Sequence, residues 1–285
     1  MASRRGRSTA RFRRDLDLLY QRGCRPITVS QLVDADVDVP SGMSAVVVTF
    51  DDASPGQFRF AEKDGRTEVD PESAVGIWLA FNRAHPDSKN RATFCLIPAG
   101  REGHAFFGDK GIEGRKTAWR FEKLQFLVRE GFELCARTLW HADLSKADDH
   151  AVQEQIARSV LAIDSAVPGY RVRTFALPLG IWPRNRALAT AGAWREPRSG
   201  REAGYSFDAV LNVGGPSVPG PRSPSFNPLA LTRVQVIGDA PEHLINRLDA
   251  TNARYVAEKP TATIRPRTLR AGKSQPNLRQ LPRIF

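Results

Sequence analysis

Two adjacent carboxylates, Asp51 and Asp52, end a run of Val46, Val47, Val48, Thr49 and Phe50, and Ala53, Ser54, Pro55 and Gly56 follow them. An apolar stretch that stops this abruptly reads as a short parallel strand covered on both faces. Acids at the C-terminal end of such a strand sit where βα barrels and open α/β sheets place their chemistry. A second stretch leaves a predicted strand in the same way: Cys135, Ala136, Arg137, Thr138, Leu139, Trp140, His141, Ala142, Asp143. Carboxylate and imidazole are the side chains of proton transfer and of metal ligation. Asp pairs also cap loops and helices, and single histidines often only pack, so the surrounding elements have to decide.

Those elements alternate. Leu16, Leu18, Leu19 and Tyr20 share a helix face that ends at Gly23, and 27–33 reads as an extended piece leading into a second small helix. Strands are expected over 45–50, 92–97, 132–135 and 172–177, with later ones over 207–213 and 234–237. Apolar spacing predicts helices over 70–84, 119–130 and 148–166, then 184–193 behind Pro183, and 242–250. Strand and helix in alternation require crossover connections, hence an α/β fold with a parallel sheet. Residues 214–228 hold five prolines and three glycines and read as a long loop.

The bulk properties narrow the classes. With 285 residues, 41% hydrophobic and 26% charged, the chain can bury a sizeable core. Its formal charge of +11 belongs to the ends: 1–26 hold eight Arg against Asp15 and Asp17, and 258–285 hold seven Lys or Arg against Glu258. Such blocks read first as solvated, flexible tails, with 259–285 disordered. A module binding nucleic acid or acidic glycan through these ends is the less favoured alternative, and it would show a steep salt dependence. Cys24, Cys95 and Cys135 are odd in number and widely spaced, which indicates neither a disulfide framework nor a zinc knuckle. No stretch reaches the length of a membrane span, so the chain as written is expected in the cytoplasm, or outside the cell if an export signal precedes Met1.

The order Thr49, Phe50, Asp51, Asp52, then Arg137 to His141, then Phe175, Ala176, Leu177, Pro178, Leu179, Gly180 resembles the polysaccharide deacetylase (NodB-like, carbohydrate esterase) family. The likeness covers roughly 40–215 and includes Phe207, Asp208, Ala209 and Val210. It implies a distorted (β/α) barrel of about seven parallel strands over 41–258, with 1–40 as a basic segment of short helices packed on it. It also implies hydrolysis of N- or O-acetyl groups on a polysaccharide or oligosaccharide, with Asp51 as general base and the backbone N–H of Leu179 facing the oxyanion. Asp52 and His141 are implied ligands of a divalent metal, zinc first among them. Trp140, Pro178 and Trp182 are implied to line the sugar subsite, although packing explains the two tryptophans equally well.

Two departures bear on that reading. Arg137 stands where the family has its first histidine ligand, and a guanidinium offers no lone pair to a metal. Ala176 stands where many members carry an arginine that orients the catalytic aspartate. The alternative is therefore a catalytically inactive, deacetylase-like carbohydrate-binding protein, with Arg137 paired to Asp51 and Asp52. His243, on a predicted helix, reads as an exposed residue; His85, His104 and His150 read as loop or helix-start residues without a role.

Overall fold

The computed structural model describes residues 7–100, 105–108, 117–200 and 202–257. His104 and the basic tail 259–285 lie outside the described residues. The chain opens with α1 (Thr9–Gln21), β1 (Cys24–Ile27) and α2 (Val29–Val33), followed by β2 (Ser44–Val47) and β3 (Thr49–Asp51). A hairpin of β4 (Phe60–Lys63) and β5 (Arg66–Val69) precedes α3 (Ala74–Ala84), β6 (Thr93–Leu96), α4 (Trp119–Arg129) and β7 (Glu133–Ala136). Then come α5 (Asp149–Ala166), β8 (Thr174–Ala176), the hairpin β9 (Ala191–Arg195) and β10 (Glu202–Ser206), β11 (Ala209–Leu211) and α6 (Ala240–Ala250).

The main sheet has five parallel strands in the order β11-β8-β7-β6-β3, curled into a half-barrel, with β1 and β2 as a separate parallel pair. The expected α/β fold with a curled parallel sheet holds; among the described residues its parallel strands are the five of the main sheet and the separate pair β1 and β2. Strand alternation sorts the core into two sides. Phe94, Leu96, Leu134, Ala136, Phe175 and Val210 pack toward helices α3, α4 and α5, with Trp78, Leu124, Leu127 and Ile156. Cys95, Cys135, Ala176, Ala209 and Leu211 face inward and meet Val29 of α2 and Leu231. Among the described residues no helix is long and apolar enough to cross a membrane.

Helix starts follow local capping. Asp148 accepts from the Ala151 amide at 2.8 Å to open α5, and Thr28 and Gln31 form a capping box on α2. The helix expected over 70–84 begins only at Ala74, because Ser73 is its N-cap and its hydroxyl also donates to Asp70 O at 2.7 Å. Gly76 lets α3 lie on that turn: a Cβ there would meet Asp70 O at 2.2 Å and Pro71 Cα at 2.8 Å, both backbone. Gly76→Ala is expected to destabilise the fold by about 2 kcal/mol, read as a lower urea midpoint with an unchanged slope.

Four local expectations give way to tertiary packing. Residues 184–193 are not a helix: a 3₁₀ turn, Arg186–Ala189, leads into β9. Tyr205 of β10 covers Gly192, where a Cβ would come within 2.5 Å of its hydroxyl, and donates to Leu188 O at 2.8 Å, so the hairpin packs on α5 in place of a helix. Residues 234–237 make no strand; Val234, Val236 and Ile237 are exposed. Residues 27–33 are mostly α2, because the Thr28 cap starts a helix directly after β1. Cys95 and Cys135, whose spacing indicated no disulfide framework, are register partners on β6 and β7 and close a disulfide across 40 residues. The β4–β5 hairpin was visible only in Asp64 and Gly65, whose left-handed φ values of 50° and 73° make its turn.

Candidate active site: two carboxylates between two arginines

Asp51 is the last residue of β3, and Asp52 and Ala53 behind it turn the chain at φ 72° and 47°. The Asp52 amide donates to Cys95 O on the neighbouring strand at 3.1 Å, and Gln57 Nε2 donates to Asp51 O at 2.5 Å. Both carboxylates are thus held at the C-terminal end of the sheet. Arg137 follows β7 directly, and the segment behind it bends through Thr138 at φ 60° and His141 at φ 63°. Leu179 bends similarly at φ 58° behind β8. Left-handed backbone costs a non-glycine residue about 1 kcal/mol or more, most for a β-branched one such as Thr138, and it gathers here at the strand ends.

Arg137 is the hub. Its side chain is 5% exposed. Nε donates to Asp52 Oδ1 at 2.6 Å, Nη1 donates to Leu177 O at 3.1 Å and lies 3.0 Å from Asp51 Oδ2, and Nη2 lies 3.1 Å from His141 Nε2. His141 Nε2 is also 3.5 Å from Asp52 Oδ1. Burial lowers the His141 pKa, and the Arg137 charge lowers it further against the pull of Asp52 and Asp51 in the other direction. The imidazole is therefore neutral near pH 7, and its Nε2 accepts from the guanidinium, which assigns the proton to Nδ1.

Arg233 is the residue the sequence did not offer. Nη1 and Nη2 donate to the two Asp51 oxygens at 2.7 and 3.0 Å, Nη1 also reaches Thr49 Oγ1 at 3.1 Å, and Nε donates to Asn212 O at 2.9 Å. The long segment behind β11 carries it there: Leu231 bridges Leu211 in parallel, and Gly214 bridges Arg233 in antiparallel. The side chain spans the two edges of the curled sheet, β11 and β3. Burial raises the Asp51 pKa, but the charges of Arg233 and then Arg137, with the Arg233 hydrogen bonds, outweigh burial and hold it below the usual carboxylate range.

The expected site residues divide on contact with the structure. Asp51, Asp52, Arg137 and His141 meet in one network. Leu179 stands beside it, half-exposed on a tight turn, and Leu177 O accepts both from Arg137 and from the Gly180 amide. Trp140 is 52% exposed and open to a ligand. Trp182 is partly buried against the core with Arg186 5.3 Å from its ring centre, and Pro178 is buried, so neither presents a free face comparable to that of Trp140. His85 lies 4.2 Å from the Tyr20 ring centre and 4.4 Å from that of Phe81, His150 is exposed at the start of α5, and His243 is exposed on α6.

The divalent metal implied by the resemblance does not fit these residues. Asp52 and His141 are two donors, and the third position is filled by a group that cannot ligate. Among the described residues no group of three or more His, Cys, Asp or Glu could hold a metal ion.

Residues 77–193 match the family model described as polysaccharide deacetylase. Over that segment the chain is similar to the polysaccharide deacetylases. The matched segment contains Arg137, His141 and Leu179, while Asp51 and Asp52 lie before it. A chitooligosaccharide deacetylase from Bradyrhizobium sp. (strain ANU 289) is 28% identical over 131 residues, 44% of this chain and 55% of that protein, so the chain spans about half the length of this curated relative. The fold is shared with solved polysaccharide deacetylases. The Streptococcus pyogenes deacetylase PplD, determined in complex with acetate, superposes with a TM-score of 0.56 at 16% identity, covering 84% of this chain and 85% of PplD. A Bacillus cereus polysaccharide deacetylase superposes with a TM-score of 0.50 at 15% identity, covering 85% of this chain and 61% of the other.

Proposed function

We propose that this chain takes an acetylated oligo- or polysaccharide at the Asp51, Asp52 and His141 cleft and removes its N- or O-acetyl group slowly, without dependence on added metal. The observation that carries the reading is the convergence of the carboxylate pair and His141 at the C-terminal ends of β3 and β7, the two strands that flank β6, in a deacetylase fold. The relative named chitooligosaccharide deacetylase supports the substrate class. Turnover is slow because Asp51, the expected base, is held ionised between two guanidiniums, and a carboxylate of depressed pKa accepts a proton poorly.

The same clamp favours a second reading, a carbohydrate-binding protein with no turnover. Acetate release from tri-N-acetylchitotriose, measured beside calorimetric binding of the same sugar, separates the two. Release that stops in Asp51→Asn supports hydrolysis; binding without release supports the second reading; neither binding nor release removes both. Trp140→Ala is expected to weaken binding by about tenfold, since an open indole face stacks on the apolar face of a sugar ring.

A further inference from the structure

We propose that Arg137 and Arg233 together take the electrostatic place of a divalent cation, so that the site is built to work without a metal and meets the acetyl carbonyl of its ligand through Arg137 Nη2. The inference rests on the acetylated-carbohydrate reading for its ligand, but not for its account of the charges.

Among the described residues two carboxylates meet two guanidiniums: Asp51 pairs with Arg137 and Arg233, and Asp52 pairs with Arg137. A dication entering between Asp52 and His141 would meet a guanidinium bonded to both, and would leave the cleft with two uncompensated positive charges. The Arg137 side chain is 5% exposed and has hydrogen-bonded partners on Nε, Nη1 and Nη2, so moving it out would break its bonds to Asp52, Leu177 O and His141 together.

The two arginines differ in where their last N–H lies. Arg233 spends one Nη1 hydrogen and one Nη2 hydrogen on Asp51, the other Nη1 hydrogen on Thr49 and Nε on Asn212 O, which leaves one N–H on Nη2 at the β11–β3 closure. Arg137 Nη2 uses one hydrogen on His141, and the second has no acceptor among the described residues. That N–H belongs to a planar cation locked in the cleft beside the Leu179 turn, because Leu177 O ties the turn to the same guanidinium. A fixed cationic donor next to a half-exposed backbone turn suits a carbonyl oxygen that gains negative charge. It needs no reorganisation when the ligand arrives.

The test is calorimetry on the full chain with two probes, zinc chloride and tri-N-acetylchitotriose. The wild type is expected to show no zinc binding at about 100 µM, and to bind the saccharide with an affinity that changes by less than about twofold between EDTA and zinc buffers. One zinc bound per chain, or saccharide affinity lost in EDTA, overturns the proposal. Charge and shape are then separated. Arg137→Gln removes the positive charge and is expected to tighten zinc binding by about tenfold or more, whereas Arg137→Lys keeps the charge and leaves zinc excluded. Equal zinc binding by both variants would overturn the electrostatic account, and circular dichroism checks that each is folded. Should the wild type bind neither saccharide nor zinc, the carbohydrate reading and with it the carbonyl contact fail, and the exclusion of metal by the arginine pair stands.

Discussion

Arg137→His binds about one zinc ion per chain and releases acetate from acetylated chito-oligosaccharides at least about 100-fold faster than the wild type. The substitution supplies the donor the site lacks: a second imidazole joins Asp52 and His141 at the end of β7. It also removes a repulsion. A guanidinium and a dication about 4 Å apart oppose each other by about 8 kcal/mol at an effective dielectric of 20, an upper bound if the side chain could swing aside. With Arg137 gone, Asp51, Asp52 and Arg233 leave one net negative charge, which welcomes a cation. Metal content by elemental mass spectrometry and acetate release on the same samples check the result. No change in either would mean that Arg137 does not stand at the metal position.

Arg233→Met lowers stability by about 2 to 3 kcal/mol at pH 7, and that loss shrinks as pH falls below about 4. The bidentate pair is largely enclosed, with Arg233 14% and Asp51 26% exposed, and the variant leaves Asp51 with Arg137 alone. The pH dependence follows from the direction of the Asp51 shift. Its folded pKa lies below the unfolded value of about 3.9, so the pairing stabilises the fold above that value and its contribution fades as pH falls through the folded pKa. Without Arg233 the folded pKa rises, and less of this stabilisation remains to be lost in acid. Urea midpoints of wild type and variant at pH 7 and pH 3 decide it. A loss of equal size at pH 3 would assign Arg233 a packing role in closing β11 toward β3, with no electrostatic hold on Asp51.

The elements that carry the site were legible because their signals are local. Val46 to Asp51 reads as a strand from residue types alone, although the structure breaks it at Val48, and the Asp148 cap and the apolar face of Val152, Ile156 and Ile163 announce α5. The hairpin β9–β10 was not legible, because Gly192 matters only once Tyr205 lies against it. Nor was the Cys95–Cys135 disulfide, whose partners are 40 residues apart and become neighbours only when β6 and β7 pair in register.

The chemistry divides in the same way. Residue order by itself determined that two acids end one strand, that a histidine follows another, and that an arginine stands four residues before that histidine. These are facts of type and spacing, and type and spacing survive without a fold. Tertiary structure alone decided where that arginine points, which tryptophan stays open, and which residue holds Asp51. Arg233 reaches Asp51 from 182 residues away, through a loop with no periodic signal. A contact of that span exists only because the curled sheet brings the segment behind β11 back across β3, and nothing in the local sequence encodes the closure.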